Sequence, residues 1–127
     1  MKAVDTNIVL RFLLNDDPVQ TPAAEAVMRE GVLIPATVLL ETGWVLASRY
    51  GFDRHRLADA LGALLDLPTI HVPSEEAHRL AIEHFRGGTD FADALHLVAA
   101  GGSEAFVTFD RALADLSDSP LPIELAR

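Results

Sequence analysis

Short apolar runs alternate with amphipathic stretches along the chain, and this alternation predicts an α/β fold. The strand-like runs are residues 2–4, 32–34, 69–72 and 105–109, with residues 120–125 as a last edge strand that carries two prolines. Helical patterns cover residues 6–14, a segment ending near 30, then 35–50, 53–66, 74–86, 91–100 and a short stretch after 110. Strands that alternate with helices predict a parallel sheet covered on both faces.

The helix boundaries follow from a few residue types. Gly31 and Gly51 stand just after helical patterns, where glycine ends helices readily. Ser74, followed by Glu75 and Glu76, predicts the N-cap of the fifth helix.

Composition limits the possible classes of protein. The 127 residues predict a single domain, and with 50% apolar residues the chain has enough material for a core. There is no cysteine, no run of 18 apolar residues and no signal peptide, so we expect a cytoplasmic protein without a membrane span. A net charge of −9 argues against a general nucleic-acid coat, but it is compatible with a nuclease and with a basic protein partner.

Four acids stand at positions where chemistry is expected. Asp5 and Asp110 each follow a predicted strand, and the carboxyl ends of parallel strands are where ligands collect in such folds. Glu41 lies on the helix face of Val38 and Val45, and Asp93 lies on an apolar helix face as well. A carboxylate buried on such a face is costly unless it is paired or bound to a cation.

Helix capping is the alternative explanation for the aspartates. Asp5, Asp90 and Asp110 each precede a helical segment, and Asp93 follows Asp90 by three residues, where an acid can complete a cap. Capping does not explain Glu41, which lies inside a helix. If the strands before Asp5 and Asp110 are neighbours, the two carboxylates repel each other, and a divalent cation would neutralise them. Oxygen ligands without cysteine favour Mg²⁺, with Mn²⁺ as a possible substitute.

Four segments containing these acids resemble the motifs of the PIN-domain ribonucleases, and in particular the VapC toxins of bacterial toxin–antitoxin pairs. The segments are Asp5-Thr6-Asn7, Glu41-Thr42-Gly43-Trp44-Val45-Leu46, Asp90-Phe91-Ala92-Asp93-Ala94-Leu95-His96 and Thr108-Phe109-Asp110. The resemblance covers almost the whole chain, and four motifs in this order are more specific than any one of them.

The resemblance implies a PIN-like α/β/α sandwich, whose central parallel sheet has the strand order 3-2-1-4-5. It also implies Mg²⁺-dependent cleavage of single-stranded RNA and inhibition by a cognate antitoxin, for which we expect a basic segment. By motif match, Asp5, Glu41, Asp93 and Asp110 carry over as catalytic and metal-binding acids, while many members do not use the residue at the position of Asp90. The resemblance and the high apolar content together predict a homodimer.

Several other residues are candidates for supporting roles. Thr6 and Asn7 could orient Asp5 or a metal-bound water, and Thr108 could hydrogen-bond an acid, although local hydrogen bonds explain all three equally well. The candidates for phosphate binding are Arg11, Arg86 and Arg111, each of which is also explained as a solvated surface charge. We expect His96 to be a partly buried structural residue and Trp44 to be core or partner surface.

Two rival functions remain. One is a phosphohydrolase with Asp5 as nucleophile, but the haloacid-dehalogenase-like pattern needs a second Asp where Asn7 stands. The other is a binding subunit whose acids hold only a structural cation.

Overall fold

The computed structural model describes residues 1–127 and contains five short strands and seven helices. The strands are β1 (Lys2–Ala3), β2 (Val32–Leu33), β3 (Ile70–His71), β4 (Phe106–Thr108) and β5 (Ile123–Leu125). The helices are α1 (Thr6–Leu14), α2 (Gln20–Arg29), α3 (Ala36–Ser48), α4 (Arg54–Asp66), α5 (Glu75–Arg86), α6 (Phe91–Ala99) and α7 (Arg111–Ala114). The predicted α/β class is confirmed, and every predicted element lies close to its expected bounds.

The strands form two separate parallel sheets. β2 lies between β1 and β3, with Lys2 opposite Val32 and Val32 opposite Ile70, while β4 pairs only with β5. The expected pairing of β1 with β4 is absent, so the five-strand order 3-2-1-4-5 is not confirmed.

The open edges have a physical reason in the strands themselves. β1 has only two residues, so its free edge offers few backbone hydrogen bonds to a further strand. β4 is held by three register pairs to β5, while Val107 within it and Phe109 just after it remain 60% and 83% exposed. A ladder between strands as short as β1 and β4 would add few hydrogen bonds.

The core is divided in the same way as the sheets. The main cluster contains 21 buried residues, among them Val9, Ile34, Leu39, Leu46 and Leu61, and it fills the space between the first sheet and the helices. Leu97 of α6 packs with Leu113 and Leu121 in a small second cluster. α6 thus connects the β4–β5 unit to the rest of the molecule.

A glycine sets the approach of α3 to α6, which carry Glu41 and Asp93. A Cβ atom added at Gly43 would lie 2.5 Å from Cε2 of Phe91, the first residue of α6. The aromatic ring therefore lies directly against the α3 backbone, in space that any other residue would occupy. This contact fixes the spacing of the two acid-bearing helices.

Ser74 occupies the N-cap position of α5, as predicted, but its side chain does not cap the helix. Ser74 has φ = 52° and ψ = 52°, and its side chain accepts no capping hydrogen bond. An N-cap residue normally has an extended backbone, which lets its side-chain oxygen reach the first free N–H groups.

None of the helices combines the length and apolar character needed to cross a membrane.

Candidate active site

The five acids of the sequence motifs line two hollows in the surface. Asp90, Asp93 and Asp110 line the first, of ≈ 410 Å³, which we call the aspartate hollow. Asp5 and Glu41 line the second, of ≈ 430 Å³, which also contains Trp44 and Arg49 and which we call the tryptophan hollow. The structure therefore brings the acids together in two groups instead of one.

Asp5 follows β1 and is both a cap and part of the tryptophan hollow. Its Oδ1 accepts a hydrogen bond of 3.1 Å from the backbone N–H of Ile8, and its side chain is exposed. The capping alternative therefore holds for Asp5, without excluding a second role, because a carboxylate has further lone pairs available.

Glu41 is held by Thr6. The Thr6 hydroxyl donates a short hydrogen bond to Oε1 of Glu41, which joins the start of α1 to the middle of α3. Thr6 is buried, and Glu41 is exposed. Glu41 shares a helix face with Val38 and Val45, as expected, but this face lines the hollow, so the carboxylate reaches solvent instead of being buried. Thr6 therefore orients Glu41, whereas the expectation was that it orients Asp5 or a metal-bound water. The Asn7 side chain contacts Gln20 at 3.4 Å.

Asp93 is the acid that capping does not explain. Its backbone N–H donates a 3.0 Å hydrogen bond to Oδ2 of Asp90, which is the cap of α6, while its own carboxylate has no hydrogen-bond partner and is half-buried. Desolvation raises the pKa of Asp93 above the ordinary value of 3.8, and the charges of Asp90 and Asp110 raise it further, whereas His96 acts in the opposite direction. The ionised form is thus disfavoured at this position. His96 is exposed, so the expectation of a partly buried histidine is wrong.

Asp110 caps α7 and depends on Thr108 for its position. Its Oδ1 accepts a hydrogen bond of 3.2 Å from the N–H of Leu113, and its own N–H donates to Oγ1 of Thr108 at 3.0 Å. Thr108 therefore contacts the backbone of this acid, not its carboxylate. These two hydrogen bonds fix the turn that leads from β4 into the aspartate hollow.

Arg54 holds the segment that leads into Asp90, a role for which no sequence pattern was a signal. Its Nη1 donates to the backbone carbonyls of Phe85 and of Thr89, the latter at 2.9 Å. The guanidinium carbon lies 4.6 Å from the centre of the Phe85 ring. Residues 87–90 form one wall of the aspartate hollow, so a side chain at the start of α4 positions that wall.

The three candidate phosphate-binding arginines differ in their surroundings. Arg11 contacts Asp16 at 2.9 Å and the Tyr50 hydroxyl at 3.2 Å. Arg86 has its own acids, Asp59 at 2.7 Å and Glu83 at 3.4 Å. Only Arg111, exposed beside Asp110, makes no ion pair.

Arg49 was not among the expected candidates, although it lines the tryptophan hollow. It is exposed and makes neither an ion pair nor a side-chain hydrogen bond. A signal was present in its spacing, since Arg49 lies eight residues after Glu41 on the same helical stretch, about two turns further along.

The donors suit a hard divalent cation in chemistry but are not assembled around one point. All are carboxylate oxygens, which Mg²⁺ and Mn²⁺ prefer, and the unpartnered Asp93 lies beside two further acids whose charges a cation would neutralise. No three carboxylates or imidazoles lie close enough to hold a single ion.

A comparison with protein families decides between the possible classes. The PIN domain model matches residues 2–118, which is nearly the whole chain. The chain belongs to the PIN domain family. PIN domains are generally metal-dependent nucleases that act on nucleic acids and often pair with antitoxins. No curated protein and no solved structure shows significant similarity to this PIN domain.

Proposed function

We propose that this single PIN domain is an endoribonuclease that cleaves single-stranded RNA with Mg²⁺, and that it is the toxin of a toxin–antitoxin pair. The observation that carries the proposal is the half-buried Asp93 carboxylate, which has no protein partner and lies beside Asp90 and Asp110. Repulsion among unpaired acids destabilises the folded chain, and a bound cation would offset it.

The cation would be held by Asp5, Glu41, Asp93 and Asp110, with Mn²⁺ as a substitute for Mg²⁺. When bound, the metal would lower the pKa of a water molecule and stabilise charge at the leaving oxygen. Thr6 would hold Glu41 in place, Thr108 would fix the turn that carries Asp110, and Arg111 is the predicted arginine whose cation is unpaired and available for phosphate.

We infer that the acids move closer together when a cation binds, because no three of them lie close enough to hold one ion. Because the acids lie in two groups, the β4–β5 unit would have to approach β1 when a cation and RNA bind. β1 and β4 each have an unpaired edge, and the β4–β5 unit has its own small core, so such an approach would break no existing strand pairing. The exposed Val107 and Phe109 would then lose contact with water, which favours the closed arrangement.

An antitoxin with a basic segment is the expected protein partner, in a cytoplasmic setting. A lysine or arginine side chain entering the aspartate hollow would pair with two carboxylates and occupy the position of a metal. The acidity of the chain, with its net charge of −9, would speed the approach of such a segment. We also expect a homodimer, and static light scattering that reports only monomer at micromolar concentration would contradict that expectation.

A substrate panel separates the proposed function from its rivals. The protein is incubated with Mg²⁺ and labelled single-stranded RNA, duplex RNA, or a small phosphate monoester, with EDTA as the control. We expect cleavage of single-stranded RNA only, abolished by EDTA. Hydrolysis of the monoester would support the phosphohydrolase that uses Asp5. If Mg²⁺ raised the melting temperature but no substrate were hydrolysed, the non-catalytic binding subunit would be favoured.

A further inference from the structure

The tryptophan hollow contains an aromatic side chain that the fold does not use. Trp44 lies on α3 among buried neighbours, yet it is 62% exposed. A tryptophan side chain has a large apolar area, and leaving it in water forgoes much of the free energy that its burial would contribute. Its position one turn after Glu41 places it beside an acid of the proposed active site.

Arg49 completes the chemistry of this hollow. Arg11, Arg79 and Arg86 are paired with acids. Arg54 and Arg56 lie over phenylalanine rings, with the Arg56 guanidinium 3.9 Å from the Phe52 ring centre. Arg49 has no such partner, although Asp5 and Glu41 line the same hollow. An unpaired guanidinium is suited to the bidentate recognition of a phosphate.

We propose that Trp44 and Arg49 form a subsite for single-stranded RNA, in which the Trp44 ring stacks on one base and Arg49 binds an adjacent phosphate. The inference rests on the proposed ribonuclease function and specifies how that site holds its substrate. A ring that is accessible on its face binds any unpaired base by stacking, and duplex RNA offers no such base. A cavity of ≈ 430 Å³ falls within the range of sites for small ligands.

Trp44 also borders a third hollow, more apolar than the other two, where a protein could bind instead. Leu40, Ala47 and Phe91 line this third hollow together with Trp44. RNA is favoured because one hollow contains an exposed aromatic side chain, an unpaired cation and two acids of the proposed active site. A protein partner would need only the apolar part. Oligoadenylate binding and the dimerisation of Trp44→Leu distinguish the two kinds of partner.

Trp44 is the only tryptophan in the chain, so its fluorescence reports directly on this subsite. The parent protein is titrated with a short single-stranded oligoadenylate in EDTA, which prevents metal-dependent cleavage, and with duplex RNA and inorganic polyphosphate in parallel. We expect quenching by oligoadenylate and no comparable quenching by the other two. Affinity is measured independently by anisotropy of labelled oligoadenylate.

The variants assign the contributions of the two side chains. Trp44→Leu should weaken oligoadenylate binding by about 5- to 150-fold, the range for one lost stacked base, and Trp44→Phe should weaken it less. Arg49→Gln should weaken binding and reduce its salt dependence. Arg29→Gln is the matched control, because Arg29 is also exposed at a helix end but lies outside the tryptophan hollow, and it should bind like the parent.

The outcomes separate this subsite from the proposed function. Oligoadenylate that quenches Trp44 in a protein unable to cleave any RNA would support the subsite and reject the ribonuclease. RNA cleavage without quenching, or unchanged affinity in Trp44→Leu, would overturn the subsite while leaving the ribonuclease intact. A Trp44→Leu variant that loses dimerisation but keeps its affinity for oligoadenylate would assign Trp44 to a protein contact and overturn the proposal.

Discussion

The hydroxyl of Thr6 donates a hydrogen bond to the carboxylate of Glu41, across 35 residues of sequence. Thr6 begins α1 directly after Asp5, and Glu41 lies within α3. This single contact connects the first two acidic motifs. It also explains why a threonine suits this position, since the buried hydroxyl finds its acceptor in a carboxylate.

Removing that hydroxyl should disorder Glu41. We expect Thr6→Val, which keeps the shape of the side chain, to lower the free energy of unfolding by about 1 kcal/mol. Its RNA cleavage should fall roughly 10- to 100-fold, as is usual when the residue that orients a metal ligand is lost. Thr6→Ser retains the hydroxyl and should stay close to the parent in both urea denaturation and cleavage rate. Equal cleavage by Thr6→Val and the parent would show that Glu41 needs no such support.

Asp93 should make the stability of the metal-free protein depend on pH. Its pKa is raised in the folded state above the ordinary value of 3.8, so the unfolded chain releases its proton at a lower pH than the folded chain does. The contribution of this group to stability is therefore fully present below about 3.8 and is lost as the pH rises through the folded pKa.

Replacement by asparagine removes this dependence. Metal-free Asp93→Asn should be at least as stable as the parent at neutral pH, with an advantage that declines to zero as the pH is lowered past the ordinary Asp range. Urea denaturation of both proteins at several pH values measures the difference. An advantage that stays constant over the whole range would mean that ionisation of Asp93 is not its cause.

Arg54 should stabilise the wall of the aspartate hollow without contributing to RNA binding. Arg54→Met leaves the carbonyls of Phe85 and Thr89 without this donor, which should lower stability by about 1 kcal/mol and increase hydrogen exchange at residues 87–90. Arg56→Met is the matched control, because Arg56 stacks on Phe52 instead. Equal exchange in the two variants would contradict the positioning role of Arg54.

Much of the fold follows from local signals, and the exceptions depend on tertiary contacts. The predicted bounds of α1 match the structure because Asp5 caps its start and Asn15, with φ = 49°, ends it. By contrast, β1 and β4 lie far apart in the sequence and do not pair, and whether two such strands pair depends on tertiary packing. No local pattern encodes that packing.

The candidate site was predictable in part for the same reason. The order and spacing of the acids identified Asp5, Glu41, Asp93 and Asp110 as candidates, and the aspartate hollow brings together Asp93 and Asp110. Helical periodicity could not decide whether the face that Glu41 shares with Val38 and Val45 is buried or lines a hollow. The role of Arg54 was not predictable, because a surface arginine looks the same in sequence whether or not it has a partner, whereas the spacing of Arg49 from Glu41 was a usable signal.

A basic peptide should compete with Mg²⁺ for the aspartate hollow. We expect a Lys- or Arg-containing peptide from the cognate antitoxin to bind more weakly as Mg²⁺ or salt concentration rises, because both weaken the pairing of its cation with the carboxylates. Calorimetry at several concentrations of each measures the effect, with Asp5→Asn and Asp93→Asn as variants. Affinity that is unaffected by Mg²⁺ and by both substitutions would place the inhibitory contact elsewhere.

The central claim is that Asp93 supports metal-dependent cleavage of RNA, and the most direct test is the cleavage rate of labelled single-stranded RNA as a function of Mg²⁺ concentration. Asp93→Asn is compared with Asp118→Asn, which makes the same chemical change at an exposed residue outside both hollows. We predict a loss of at least about 100-fold for Asp93→Asn, without loss of folded structure, and parent-like cleavage for Asp118→Asn. Full Mg²⁺-dependent cleavage by Asp93→Asn would contradict the account.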